Sequence, residues 1–197
     1  MGSEMCIRDR LGSYSTHSRS KLGGFAEPLN KGVVLPVKLP FASEGSEAFL
    51  NPSLRRPQRD RIRVVEGPQC EYFSSKGVSD FYAKPFNISN ESDRMGYRLD
   101  GNNIEFAKRG DMISEPTLYG SVQVPPSGKP VVLMADCGTF GGYPKIATVV
   151  TVDRGVLAQK GPGDEFYFEA IPVEQAQDLL REEEQYFSVL NLKLMRN

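Results

Sequence analysis

The chain has 197 residues, 39% of them hydrophobic and 25% charged, a balance that supports a packed core and excludes wholesale disorder. Its 24 Lys and Arg nearly match its 25 Asp and Glu, with the two signs interspersed, so neither a nucleic-acid binder nor a membrane-surface binder is indicated. No apolar run approaches the roughly 18 residues of a membrane helix, and no apolar core of a secretory signal is read; Cys6, Cys70 and Cys137 form no CxxC pair, so a reducing, cytoplasmic setting without zinc or disulfides is expected.

Residues 4–10 read EMCIRDR. Back-translated, this string resembles the adapter used in transposon-based sequencing libraries. Residues 1–10 are therefore expected to be an artefact outside the fold, and Cys6 carries no functional weight. Residues 11–31 are rich in Ser and Gly and read as turns; they include His17, the only histidine, in a polar segment. Catalysis built on Ser-His or Cys-His is therefore not expected. A short strand bounded by Pro is expected at 32–40. Residues 41–60 carry Gly, Pro and polar residues without a sustained period and read as a linker.

A strand-rich block follows. RIRVVEG, from Arg61, alternates apolar with polar and stops at Gly67-Pro68. SDFYAKP reads as a short helix ended by Pro85, which disfavours a helical Lys84. FNISN and DRMGYRLDG read as strands. LYGSVQV and KPVVLMAD flank PPSG as a hairpin. KIATVVTVD and EFYFEAI are two more strands, separated by the turn KGPGD, where Pro162 presets φ and Gly163 accepts a positive φ. One helix carries a sustained stripe, over residues 173 to about 190, with Val173, Ala176, Leu179, Leu180 and Phe187 apolar and Glu182, Glu183 and Glu184 on a solvated face. Many short strands, frequent Gly/Pro turns and few helices predict a mainly β barrel or sandwich.

Two groups of residues carry possible chemistry. In SDRMGYRL an extended strand puts Met95, Tyr97 and Leu99 on one face and Arg94, Gly96 and Arg98 on the other. Two guanidinium groups about a glycine make a clamp for a carboxylate; spacing alone favours the plainer alternative, that each Arg pairs with an acid on the barrel wall. The second group is ADCGTFGGYPK, where Gly138, Gly141 and Gly142 stand among Asp136, Thr139, Tyr143 and Lys145. Consecutive backbone amides there can hold an anion, and a tight turn is as compatible with the composition. The segment matches neither GxxxxGK[ST] nor GxGxxG, so a phosphate loop and a dinucleotide fingerprint are excluded.

SDRMGYRLDG, GSVQVPPSGKPVVLMAD and GTFGGYPKIATVV, in that order, resemble the carboxyltransferase subdomain C/D family, which includes the 5-oxoprolinase C component, KipA-like and allophanate hydrolase subunit 2-like proteins. LGSYST followed by LGG resembles the family's middle region. The resemblance implies a cyclophilin-like β-barrel over about 61–190, with 11–60 the remnant of a preceding subdomain plus linker and the N-terminal half absent. It implies ATP-dependent cleavage of 5-oxoproline to L-glutamate, with a KipI-like B component and an ATP-using A component as partner subunits and ATP used through them. A fragment of this kind is expected to be inactive alone. Asp136 and Lys145 are then candidate catalytic residues, and Arg94, Arg98, Thr139, Gly141, Gly142 and Tyr143 candidate substrate contacts, with no metal site. The alternatives are a biotin-dependent carboxyltransferase acting on urea or a similar amide, and a KipA-like regulatory protein without catalysis. Family members commonly have Gln-Thr-Thr where this chain has Gly138, Thr139 and Phe140, a difference that bears on substrate contacts.

Overall fold

A computed structural model describes residues 16–17, 22–23, 30–34, 59–108 and 112–194. The chain divides into two compact units, Met1–Arg55 and Arg56–Asn197. In the first, β1 (Thr16–His17) pairs antiparallel with β2 (Leu22–Gly23). Lys31 and Gly32 form a turn closed by the Val33 N–H, which donates to the Asn30 carbonyl at 3.2 Å. Residues 1–10, the rest of the strand expected at 32–40, and most of the linker lie outside the described residues.

The second unit is a closed barrel. Its strands are β3 (Arg61–Glu66), β4 (Phe86–Ile88), β5 (Gly96–Gly101), β7 (Ser121–Gln123), β8 (Val131–Leu133), β10 (Lys145–Val149) and β11 (Glu165–Ala170), in the cyclic order β10-β3-β11-β4-β5-β8-β7. A two-stranded ribbon, β6 (Glu115–Pro116) with β9 (Phe140–Gly141), lies outside that circuit. Only β3 and β11 run parallel; the other barrel pairs are antiparallel. Closure removes every free sheet edge from the barrel.

Period-two alternation builds the core. In β3, Ile62 and Val64 are fully buried between Arg61, Arg63 and Val65, and in β11 Phe166 and Phe168 alternate with Glu165, Tyr167 and Glu169 in the same way. Helix α1 (Ser75–Ala83) begins at Ser74, whose Oγ accepts from the Gly77 N–H at 3.0 Å, and it ends just before Pro85. It delivers Phe81 onto Phe168, the rings stacked with centroids 4.6 Å apart. The β7–β8 hairpin closes with Gly128 at φ 80°, and the KGPGD turn with Gly163 at φ 88°, as their glycines suggest.

Two elements depart from the sequence reading. KIATVVTVD does not stay extended: β10 stops at Val149 and α2 (Thr151–Ala158) begins. Asp153, in its first turn, is 1% exposed; it accepts from the Arg63 backbone N–H and from Nε, each at 2.9 Å, and forms an ion pair with the same guanidinium. That tie to β3 outweighs the strand preference of the β-branched run. DRMGYRLDG is a strand only from Gly96, because the Asp93 Oδ1 accepts from the N–H groups of Met95 and Gly96 and holds the preceding residues in a turn. Helix α3 (Val173–Leu194) packs Ala176, Leu179 and Leu180 against Val150, Val152 and Ile171, whereas Val173 and Phe187 of its expected stripe are exposed. Among the described residues the fold is thus mainly β, a seven-stranded barrel with three α-helices, one of them C-terminal.

Candidate functional site

The glycine-rich segment is fixed at both ends. At its start, the Asp136 N–H donates to the Arg94 carbonyl, and the Arg94 guanidinium grips the Asp136 carboxylate by two bonds, Nε to Oδ2 at 2.8 Å and Nη2 to Oδ1 at 3.2 Å. Arg94 is exposed, Asp136 mostly covered. In the middle, β9 pairs with β6, the Thr117 N–H donates to the Thr139 carbonyl, and Thr117 Oγ1 donates to the Gly138 carbonyl. Thr139, Phe140 and Tyr143 are exposed, while Gly141 and Gly142 are partly covered. Burial pushes the neighbouring Cys137 thiol up from its ordinary pKa, which keeps it protonated near neutral pH.

At its far end the segment runs into the barrel, and here a buried polar cluster forms. Lys145 is 5% exposed. Its Nζ donates to Glu115 Oε2 at 3.0 Å, and the same oxygen accepts from Gln69 Nε2 at 2.8 Å. Gln69 Oε1 in turn accepts from the Lys145 backbone N–H at 3.2 Å. Gly67 lets this loop approach so closely: a Cβ there would stand 2.1 Å from the Lys145 carbonyl oxygen. Gln123 completes the group, buried on β7 as the cross-strand partner of Lys145. The pairing sits beside a register irregularity between Lys145 and Ala147. A cation under a glycine turn, neutralised by a half-exposed carboxylate and flanked by two carboxamides, can donate to a carbonyl oxygen and stabilise charge that develops there.

The structure thus brings together Arg94 and Asp136 at one end of the segment, and Lys145, Gly141, Gly142 and Tyr143 at the other. Arg98 does not join them. Arg94 stands beside Asp136 in the turn before β5, whereas Arg98 lies within β5 opposite Val131. Its Nε is 4.0 Å from Glu91. Nor does Gly96 leave an open floor between them, since a Cβ there would meet Val131 Cγ1 at 3.0 Å. Each Arg thus stands beside its own acid, Arg94 by Asp136 and Arg98 by Glu91, the arrangement of the plainer alternative. Glu115, Gln69, Gln123 and Thr117 were not legible as site residues. Gln123 carried a signal, an amide inside the otherwise apolar, fully buried run Val122–Val124.

Four large apolar side chains stay exposed along the ribbon and its flanks: Ile113, Leu118, Phe140 and Tyr143. Among the described residues no cluster of three or more His, Cys, Asp or Glu is arranged to hold a metal, and no helix is long and apolar enough to cross a membrane.

Comparison with known proteins agrees with this architecture. Residues 3–170 match the family described as carboxyltransferase domain, subdomain A and B. The C component of the 5-oxoprolinase of Haemophilus influenzae is 42% identical over 177 residues, covering 89% of this chain and 56% of that protein; its Escherichia coli counterpart is 33% identical, covering 93% and 59%. The chain thus spans somewhat over half the length of these curated relatives. The urea amidolyase of Saccharomyces cerevisiae is 26% identical over 86% of this chain and 10% of its own. Among solved structures, TTHA0988 in space group P6522 has a TM-score of 0.63 at 37% identity, over 81% of this chain and 30% of that one. The Kluyveromyces lactis urea amidolyase shares the fold, with a TM-score of 0.76 at 21% identity over 91% of this chain and 12% of that one. The match is to subdomains A and B of the carboxyltransferase domain rather than to the C/D pair expected from the motifs. The chain belongs to the carboxyltransferase domain family, subdomain A and B.

Proposed function

We propose that this chain is part of the C component of a 5-oxoprolinase, in which ATP-dependent hydrolysis opens the cyclic amide of 5-oxoproline to give L-glutamate. The observation that carries this reading is the 42% identity to the C component of a 5-oxoprolinase across 89% of the chain. The buried Lys145 supports it locally. Among the described residues its ammonium group makes one hydrogen bond, to Glu115, so further N–H groups are available for the lactam carbonyl oxygen. In this reading Thr139, Gly141, Gly142 and Tyr143 line the approach to Lys145. Arg94, oriented by Asp136, supplies the cation for the substrate carboxylate, and Arg98 stands outside the group. ATP is bound and hydrolysed on an ATP-using A component working with a KipI-like B component, in the cytoplasm. The exposed side chains of Ile113, Leu118, Phe140 and Tyr143 suit an assembly that covers them.

The urea amidolyase relatives favour a second reading, carboxyl transfer from carboxybiotin on a partner to urea or a similar amide. Co-expression with the A and B components of a 5-oxoprolinase separates the two. The first reading expects the three to co-purify, and the second expects binding to a biotin-carrying partner instead. A chain that co-purifies with neither contradicts both.

A further inference from the structure

Gln123 is 6% exposed, and among the described residues its carboxamide has a single hydrogen bond, a long one from Nε2 to the Tyr143 carbonyl at 3.5 Å. Buried amides ordinarily satisfy most of their donors and acceptors. This one is aimed at the glycine turn. A Cβ on Gly141 would stand 2.4 Å from Gln123 Nε2 and 2.9 Å from Thr117 Cγ2, so the missing side chain at Gly141 is what admits the carboxamide to the underside of the turn. Its cross-strand partner is Lys145, at the start of a register irregularity in β10.

We propose that Gln123 is the residue that recognises the substrate's amide. Its carboxamide pairs edge to edge with the amide, accepting from the amide N–H and donating to the amide carbonyl, while the neighbouring Lys145 ammonium donates to the same carbonyl oxygen. A carboxamide is the neutral side chain that offers a donor and an acceptor in one plane at the spacing an amide presents. The ligand class is therefore a cyclic or primary amide, and a lactone, which lacks the N–H, is discriminated against. The inference rests on the amide-cleaving reading above and deepens it. It makes Gln123 a specificity residue, and Gly141 a position where size matters more than backbone freedom.

The test measures binding to the whole chain by titration calorimetry. The probes are 5-oxoproline, its lactone counterpart 5-oxotetrahydrofuran-2-carboxylate, and urea. The variants are Q123L, G141A, and G161A as a control, since a Cβ on Gly161 meets nothing within 4 Å. Wild type and G161A are expected to prefer the lactam over the lactone. Q123L is expected to bind the lactam at least about tenfold more weakly, as for loss of one or two neutral hydrogen bonds, and to lose the preference. G141A is expected to show the same loss with Gln123 intact, so the result does not depend on Q123L folding; circular dichroism checks both. Undiminished lactam binding and preference in the two variants overturns the role of Gln123 and leaves the 5-oxoprolinase reading standing. Binding of urea but not 5-oxoproline, lost in Q123L, overturns the 5-oxoproline assignment and supports amide recognition by Gln123. A wild-type chain that binds no amide probe overturns the inference.

Discussion

Asp153→Ala is the perturbation with the clearest magnitude. The Asp153 carboxylate is sealed from solvent, and Arg63, its partner, has a side chain only 14% exposed. The substitution removes both the ion pair and the acceptor for the Arg63 backbone N–H, leaving a partly buried cation and an orphaned donor. Breaking a buried pair in this way costs about 3–5 kcal/mol. At roughly 3–5 °C per kcal/mol for a unit of this size, the midpoint should fall by about 10–20 °C. Asp153→Asn, which keeps an acceptor for the N–H, should fall between. The double variant R63M/D153L should recover most of the loss, because apolar replacement of both partners avoids the uncompensated charge. Urea unfolding and thermal melts, both followed by far-ultraviolet circular dichroism, measure all four proteins. A loss below about 1 kcal/mol in Asp153→Ala would refute the argument that this pair docks α2 onto β3.

The other predictions concern the site. Arg94→Lys should change stability by less than about 1 kcal/mol, because Arg94 is exposed and Lys keeps a cation beside Asp136, and a thermal melt checks this. In a reconstituted complex the same variant should weaken 5-oxoproline binding about tenfold, since Lys lacks the planar fork, while Arg98→Lys should bind within about twofold of wild type; equal effects of the two would contradict the separation of the arginines. Cys70 and Cys137 both have thiols raised by burial, so at pH 7 each should react with iodoacetamide several-fold more slowly than a free cysteine, and the rate should climb as pH rises through the raised values. Peptide-resolved mass spectrometry reads each site, and a fast reaction of Cys137 at pH 7 would show a thiolate in the loop.

The barrel was legible because its strands state their burial locally. Ile62 and Val64, or Phe166 and Phe168, alternate with polar residues, and Gly128 and Gly163 mark turns whose positive φ only they adopt easily. Helix α2 was hidden because Thr151, Val152 and the preceding valines prefer extended backbone, and what overrides them is a carboxylate meeting an arginine 90 residues away. The site divides along the same line. Asp136, Lys145 and the glycines fall in one run and could be read together. Glu115 and Gln69 reach Lys145 only through the tertiary fold, from 30 and 76 residues away, and no local period announces them. Arg94 and Arg98 do not share a strand face for a local reason: alternation was carried back through Asp93, whose side chain caps a turn and takes Arg94 out of the strand.

The central claim is tested most directly by exchanging the matching 177-residue segment of the Haemophilus influenzae 5-oxoprolinase C component for that of this chain. The chimera is supplied with the A and B components, and glutamate released from 5-oxoproline is measured with and without ATP. The account predicts ATP-dependent glutamate from the chimera, lost when any one component is left out. A folded chimera that assembles with both partners and releases no glutamate, while the native C component does so in the same assay, would contradict it.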